Sequence, residues 1–282
     1  ILIALFAFSC SSDSSSDDEN NNNGGNNNSG NALLVSEITS TSGLSDYVYT
    51  ERYFYDGNKI TSMVEESTYD GGNPEMGYLY NFVYTNNKIT RVDEYYEDTS
   101  TGIEGRYTFE YDNQGRVSYY NYCYFSSSGT CEYYDTYDLT YSSNGTVTLS
   151  YVYEVGTEYE DAGTATLQLD NNGNIVSIND SYQSEDDNGN PVNVTVNSSL
   201  EYDNQNSPYK NIVGMNAIIL VNFVDNPLQF NAYNNNTSIV SEYSDGDQYQ
   251  YIHAYDYNED GYPRQVIVTD GSYSSTIDVS YY

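Results

Sequence analysis

Apolar and polar residues alternate one by one along most of this chain, and short polar clusters punctuate the alternation. Residues 107–120, Y-T-F-E-Y-D-N-Q-G-R-V-S-Y-Y, set the pattern. Tyr107, Phe109 and Tyr111 fall on one face of a strand, and Thr108 and Glu110 fall on the other. Asp112-Asn113-Gln114-Gly115 supplies turn chemistry: short side chains that bond their own backbone, and a glycine free to take positive φ. Arg116-Val117 then opens a return strand. Degraded copies recur: Y-F-Y-D-G-N-K-I at 53–60, Y-N-F-V-Y-T-N-N-K-I at 80–89, Y-D-L-T-Y-S-S-N-G-T-V at 137–147, A-T-L-Q-L-D-N-N-G-N-I at 165–175, a partial copy at 199–207 and a last one at 255–263. The residues just before these turns are Tyr55, Tyr84, Tyr111, Tyr141, Leu169 and Tyr202. Their spacing of about thirty residues is enough for two strands and two turns per repeat. The second connection of each unit is longer and more variable, as in Asp70-Gly71-Gly72-Asn73-Pro74. The pattern predicts an all-β chain of repeated hairpins, short loops on one edge and long ones on the other.

Two stretches modify that picture. In 117–125 tyrosine falls at both odd and even positions, whereas a sheet with one dry and one wet face alternates cleanly. This predicts an extended, twisted antiparallel meander, in part single-layered, with cross-strand tyrosine pairs supporting both faces. Residues 212–224, I-V-G-M-N-A-I-I-L-V-N-F-V, are the most apolar and do not alternate. A short helix near 216–223 covering one face or end of the sheet is expected there, with a buried strand as the alternative. A first strand over 33–38 and closing strands over 248–257, 264–269 and 276–281 complete the sheet.

The amino-terminal part belongs to a different regime. Residues 1–9, I-L-I-A-L-F-A-F-S, form an apolar run too short to span a bilayer. They match the apolar core of a secretory signal. Ala7-Phe8-Ser9-Cys10 resembles the lipobox at which bacterial lipoproteins are cleaved and acylated, which makes Cys10 the lipidation site. Residues 11–30 contain only Ser, Asp, Glu, Asn and Gly. They cannot bury surface and read as a disordered tether. Such tethers are found in Bacteroidetes lipoproteins, and Ser16-Asp17-Asp18-Glu19 is similar to the acidic signal that sends them to the outer face of the outer membrane. The expected organisation is a signal segment at 1–9, a lipidated cysteine and tether at 10–31, and one β-repeat domain at 32–282.

Composition narrows function by exclusion. Asp and Glu number 42 against 8 Lys and Arg among 282 residues, a net charge of -34. Such a surface repels phosphate backbones and excludes nucleic acid as a partner. It repels anionic head groups too, unless a covalent anchor intervenes. Tyrosine supplies 36 residues and tryptophan none. Tyrosine buries a ring while keeping its hydroxyl hydrated, which suits half-exposed sheet faces.

Tyr111-Asp112-Asn113-Gln114-Gly115-Arg116-Val117 resembles the YD-type repeat of the Rhs family. A second resemblance, carried by Tyr202-Asp203-Asn204-Gln205-Asn206-Ser207-Pro208-Tyr209-Lys210-Asn211 and Asp260-Gly261-Tyr262-Pro263, is to tyrosine-rich β-repeat lipoproteins of flavobacteria and Bacteroides with no known function. It covers about 33–282. It implies a fold and an outer-membrane, surface-exposed location, and no catalytic residues.

Candidate chemistry is sparse. Cys123 and Cys131 flank Ser126-Ser127-Ser128-Gly129. If Phe125 pairs with Gly129, the two cysteines face each other at disulfide distance, and an exported protein keeps such a bond. His253, the single histidine, alternates with Tyr251 and Tyr255 and reads as a structural strand residue. Asp256, Asn258 and Asp260 match the first half of a calcium loop, but Ile267 stands where the bidentate Glu is required, so no cofactor is expected beyond a weak calcium candidate. Nucleophile-elbow, zinc-helix and phosphate-loop motifs are absent from the sequence. The reading that results is a non-catalytic binding module for a glycan or a protein partner. The alternatives are a glycan-acting enzyme that uses two carboxylates, and a structural or adhesive surface-coat protein.

Overall fold

The computed structural model describes residues 33–43, 46–100, 102–185, 191–218, 233–271 and 273–282. The first eight strands are β1 (Val35–Ser42), β2 (Val48–Asp56), β3 (Lys59–Thr68), β4 (Glu75–Thr85), β5 (Lys88–Tyr96), β6 (Gly105–Tyr111), β7 (Val117–Phe125) and β8 (Cys131–Tyr141). Then follow β9 (Thr146–Tyr153), β10 (Asp161–Leu169), β11 (Ile175–Glu185), β12 (Pro191–Tyr202), the helical turn α1 (Met215–Ile218), β13 (Asn236–Tyr243), β14 (Gln248–Tyr257), β15 (Pro263–Asp270) and β16 (Tyr273–Tyr281). Each strand pairs antiparallel with its sequence neighbours, and β16 returns to β1 from Val35↔Tyr281 to Ser42↔Ser275. The result is a closed barrel of sixteen strands.

The all-β antiparallel meander is therefore present, but the expected open, partly single-layered sheet is not. The difference lies in a β-bulge that recurs at the end of the barrel carrying the short turns. In β2/β3, β4/β5, β6/β7, β10/β11, β12/β13 and β14/β15 the return strand holds one extra residue just after its first or second pair: Thr61, Thr90, Ser118, Val176, Thr237 and Arg264. Ser36 does the same at the β1/β16 seam. A bulge adds local twist, which helps a long meander curl until its edges meet, and it shifts side-chain parity by one. Val117 and Tyr120, three apart, are both buried. Tyr122 and Tyr124 continue the same inward face, while Tyr119, Asn121 and Cys123 face outward. What looks in sequence like tyrosine on both faces is one tyrosine face interrupted by a bulge.

At the turn end the lumen is filled. Ile60, Met63, Ile89, Val117, Leu149 and Leu167 belong to one apolar cluster. The connection from β12 folds under them as a plug, adding Tyr209, Ile212 and Met215. Its backbone is tied to the rim: Val213 N–H donates to the Asn58 carbonyl at 2.9 Å, Tyr84 OH to the Val213 carbonyl at 3.0 Å, and Asn211 Nδ2 to the Leu33 carbonyl at 2.8 Å. Of the helix expected near 216–223, the described part is the turn α1. Residues 219–223 lie outside the described residues.

Tyrosines near the turn end of the strands share a specific task. Tyr55 OH donates to the Val35 carbonyl at 2.9 Å, Tyr111 OH to Ile89 at 2.5 Å, Tyr141 OH to Val117 at 2.7 Å, Tyr255 OH to Asn236 at 2.6 Å and Tyr281 OH to Pro263 at 2.7 Å. Each bond ties one hairpin to the preceding strand, where no short turn joins them. The base after the turn completes the unit: Lys88 Nζ sits 4.6 Å from the Tyr111 ring and the Arg116 guanidinium 4.1 Å from the Tyr141 ring. Such contacts contribute about 0.5–1 kcal/mol at exposed sites. Tyr141→Phe keeps the ring under Arg116 and deletes the hydroxyl clamp. It is expected to lower stability by about 0.5–1.5 kcal/mol in urea titration, and Tyr141→Leu by more.

Candidate functional site: the tyrosine-lined open end

The opposite half of the lumen is polar, and its polarity is one-sided. Buried carboxylates face inward from β2, β3, β5, β8 and β11 as Glu51, Glu65, Glu94, Asp135 and Asp180. The eight Lys and Arg residues lie elsewhere. Arg52, Arg91, Arg106 and Arg264 pair with carboxylates on the outer wall. Lys59, Lys88 and Arg116 lie over tyrosine rings at the turn end, and Lys210 bonds to Asn206 in the plug.

Tyrosines satisfy the carboxylates. Tyr151 on β9 crosses β10 and donates to Asp180 Oδ1 on β11 at 2.9 Å. Tyr122 on β7 crosses β6 and donates to Glu94 Oε2 on β5 at 3.1 Å. In each case the ring lies on the glycine of the strand it crosses, Gly163 or Gly105, where a Cβ would overlap the phenol. Tyr124 OH donates to Asp135 Oδ2 at 3.1 Å, and Asp135 Oδ1 accepts the Glu154 N–H at 2.8 Å. An isolated glycine inside a strand marks close approach of another group; Gly105 and Gly163 carried that signal in the sequence.

Burial penalises charge throughout this lining. It raises Asp180 above the usual carboxylate range, against the Tyr151 hydrogen bond, and raises Asp135 likewise. It holds the Tyr151, Tyr122 and Tyr137 phenols protonated, and Tyr153 is pushed up to about 12. A carboxyl raised in the folded state binds its proton more tightly there than in the unfolded chain. Its ionised form therefore weakens the fold above the folded pKa, and that penalty disappears as pH falls toward the unfolded value. Asp180→Asn is expected to raise the thermal midpoint at pH 7.5, with the gap from the parent closing on acidification toward pH about 4. A gap that widens with acid would contradict this assignment.

The outer wall is mostly hydrophilic, although Phe54, Ile252 and Ile267 are exposed on it. Arg52 bridges Glu37 and Glu66 across three strands, Asp93 holds Arg91 and Arg106, Arg264 pairs with Asp256, and Gln265 Nε2 donates to Asp278 at 2.8 Å. Thr, Ser and Asn occupy most remaining outward positions of β10–β12. A bilayer-spanning barrel presents an apolar band about 25 Å tall on this face. Here charged and polar side chains interrupt that face.

The residues singled out in the sequence do not converge. Cys123 and Cys131 are joined by a disulfide with Cα atoms 5.8 Å apart, but not by direct opposition. Phe125 pairs with Cys131 and Cys123 with Tyr134, because a register shift follows Tyr124. The bond staples the open end of β7/β8 on the outer side. His253 is buried in the lumen, its Nδ1 3.3 Å from Asn236 Oδ1, and burial lowers its pKa to about 4. Asp256 faces Arg264, and Asn258 Oδ1 accepts the N–H groups of Asp260 and Tyr262 within the turn. Among the described residues no group of three or more His, Cys, Asp or Glu could hold a metal ion. Cys10 and the tether lie outside the described residues.

Exposed tyrosines collect at the open end. Tyr47, Tyr69, Tyr96, Tyr134, Tyr159, Tyr249 and Tyr273 all lie in or beside its loops, and only Tyr282, of the exposed tyrosines described, lies at the turn end.

No family model and no curated protein matches the sequence. Solved structures match its fold. A porin-like protein from Bacteroides vulgatus is 14% identical with a TM-score of 0.57, over 89% of this chain and 99% of that one. A porin-like protein from Bacteroides uniformis is 11% identical with a TM-score of 0.51, over 88% and 98%. These likenesses concern the fold alone.

Proposed function

We propose that this chain is an outer-membrane lipoprotein whose barrel stands in water beside the bilayer and binds a glycan at its open end, without catalysis. The observation that carries the reading is the gathering of exposed tyrosines on one rim, above a lumen of buried carboxylates, on a barrel whose outer wall is mostly hydrophilic. Tyrosine rings offer flat faces to sugar C–H groups, and carboxylates accept from sugar hydroxyls; aromatic side chains dominate binding hot spots. The apolar cluster and plug fill the turn end, which favours a receptor over a conduit. The porin-like neighbours support an outer-membrane setting, and the lipobox-like Ala7-Phe8-Ser9-Cys10 supplies the anchor.

The same reading orients the molecule. The strands begin and end at the turn end, where Tyr282 N–H donates to the Leu34 carbonyl at 3.0 Å. A tether arriving at Leu33 leaves that end toward the membrane and the tyrosine rim away from it. A flexible tether of this length reaches about 25 Å r.m.s.. The test is a glycan array probed with the mature chain and with a Tyr96→Ala/Tyr249→Ala variant. Retention of a defined glycan that the variant loses is the expected result. A blank array, or capture of a protein partner in its place, would overturn the glycan reading.

A further inference from the structure

One part of the rim forms a half-open pocket. β13 and β14 are joined by Ser244-Asp245-Gly246-Asp247, and this loop is pinned on both sides. Tyr243 N–H donates to the Asp247 carbonyl at 2.9 Å and Gly246 N–H to the Tyr243 carbonyl at 3.0 Å. Ser244 N–H donates to the Thr195 carbonyl at 2.9 Å, and Thr195 N–H to Ser244 Oγ at 3.2 Å. The pinned loop faces Tyr243, Tyr249 and Tyr251. The rings of Tyr243 and Tyr249 have centroids 5.5 Å apart and stand at 75°, two walls nearly at right angles. Tyr251, paired with Asp270 in the ladder, stands beside them. With Ser241, Asp245 and Asp247 they line a cavity of about 290 Å³.

We propose that this cavity is a cage for a small organic cation carrying an N-alkylated ammonium group. The proposal rests on reading the open end as the ligand-binding face and names the chemistry of one ligand there. Ring faces are negative, and aromatic walls at an angle surround a compact cation without hydrogen bonds. Asp245, Asp247 and Asp270 add negative potential around the cage, and every Lys and Arg of the chain is engaged elsewhere. Burial keeps the Tyr243 and Tyr251 phenols protonated, so the walls remain neutral. At the floor the Ser241 hydroxyl is 2.8 Å from Ser198 Oγ and shares a hydrogen bond with it. A primary ammonium loses three hydrated N–H donors on entering such a site. An alkylated one has far less hydration to lose.

Choline and its uncharged carbon isostere 3,3-dimethylbutan-1-ol separate charge from shape. Titrated into the mature protein and followed by NMR, choline is expected to saturate a single site. The isostere is expected to bind about tenfold more weakly or less. Tyr249→Leu, at an exposed rim position, is expected to weaken choline about tenfold with an unchanged melting curve. Asp245→Asn/Asp247→Asn is expected to weaken it most at low salt. Equal binding of the two compounds, or no saturation by choline, overturns the cage. If the glycan array is positive while choline fails, the cage alone falls. If choline binds and the array is blank, the glycan reading falls and the cage stands.

Discussion

Replacing Tyr209 with alanine is expected to cost about 3–5 kcal/mol of stability, the range for removing a buried aromatic ring. Tyr209 is among the largest fully buried side chains, and its ring centroid lies 6.3 Å from that of Tyr53. The ring is the centre of the plug. It stands between the apolar cluster of the turn end and the tyrosine–carboxylate lining above it, with the Tyr209 and Tyr53 hydroxyls 3.4 Å apart. Its loss leaves a cavity that the barrel wall cannot close, because sixteen paired strands fix the circumference. Urea titration measures the cost. Native-state hydrogen exchange locates it, since the Val213 amide that ties the plug to Asn58 should lose protection before the barrel amides do. A loss below about 1 kcal/mol would show that the plug is an ornament on an independently stable barrel.

Gly163→Val attacks the other half of the lumen. A side chain at Gly163 meets the Tyr151 ring, which rests on this glycine while its hydroxyl reaches Asp180. The ring has to leave, taking its hydrogen bond from a buried carboxylate. Overpacking and a stranded polar group together are expected to cost about 3 kcal/mol or more. The diagnostic is the double variant. Removing the ring with Tyr151→Ala makes room for the valine, so Gly163→Val/Tyr151→Ala is expected to be less destabilised than the sum of the single changes. Strict additivity would mean that the glycine and the ring do not interact.

The strands were legible in the sequence because period-2 alternation and Asx-Gly turns are local signals. Tyr55, Tyr84, Tyr111 and Tyr141 mark where hairpins turn, and the structure adds what spacing alone does not show, that most of these hydroxyls clamp a neighbouring strand. Closure was not legible. It depends on pairing Val35 with Tyr281, residues at opposite ends of the chain, and on single extra residues such as Thr61 and Ser118 whose effect is to flip parity. The same bulges made residues 117–125 read as a two-faced sheet. Of the binding end, the abundance of tyrosine was visible, but its sorting between lumen and rim was not, because that sorting follows from which way each strand runs around a closed wall. The tyrosine–glycine–carboxylate arrangements span three strands each. Only the isolated glycines hinted at them.

The proposed function requires that the outer wall of this barrel face water and that a lipid on Cys10 alone hold it to the membrane. Detergent phase separation of the chain with Cys10→Ser, expressed without acylation, tests it directly. This variant is expected to enter the aqueous phase as a folded, detergent-free monomer, and the acylated parent to enter the detergent phase. Recovery of the Cys10→Ser barrel in the detergent phase, or its aggregation once detergent is removed, would contradict it.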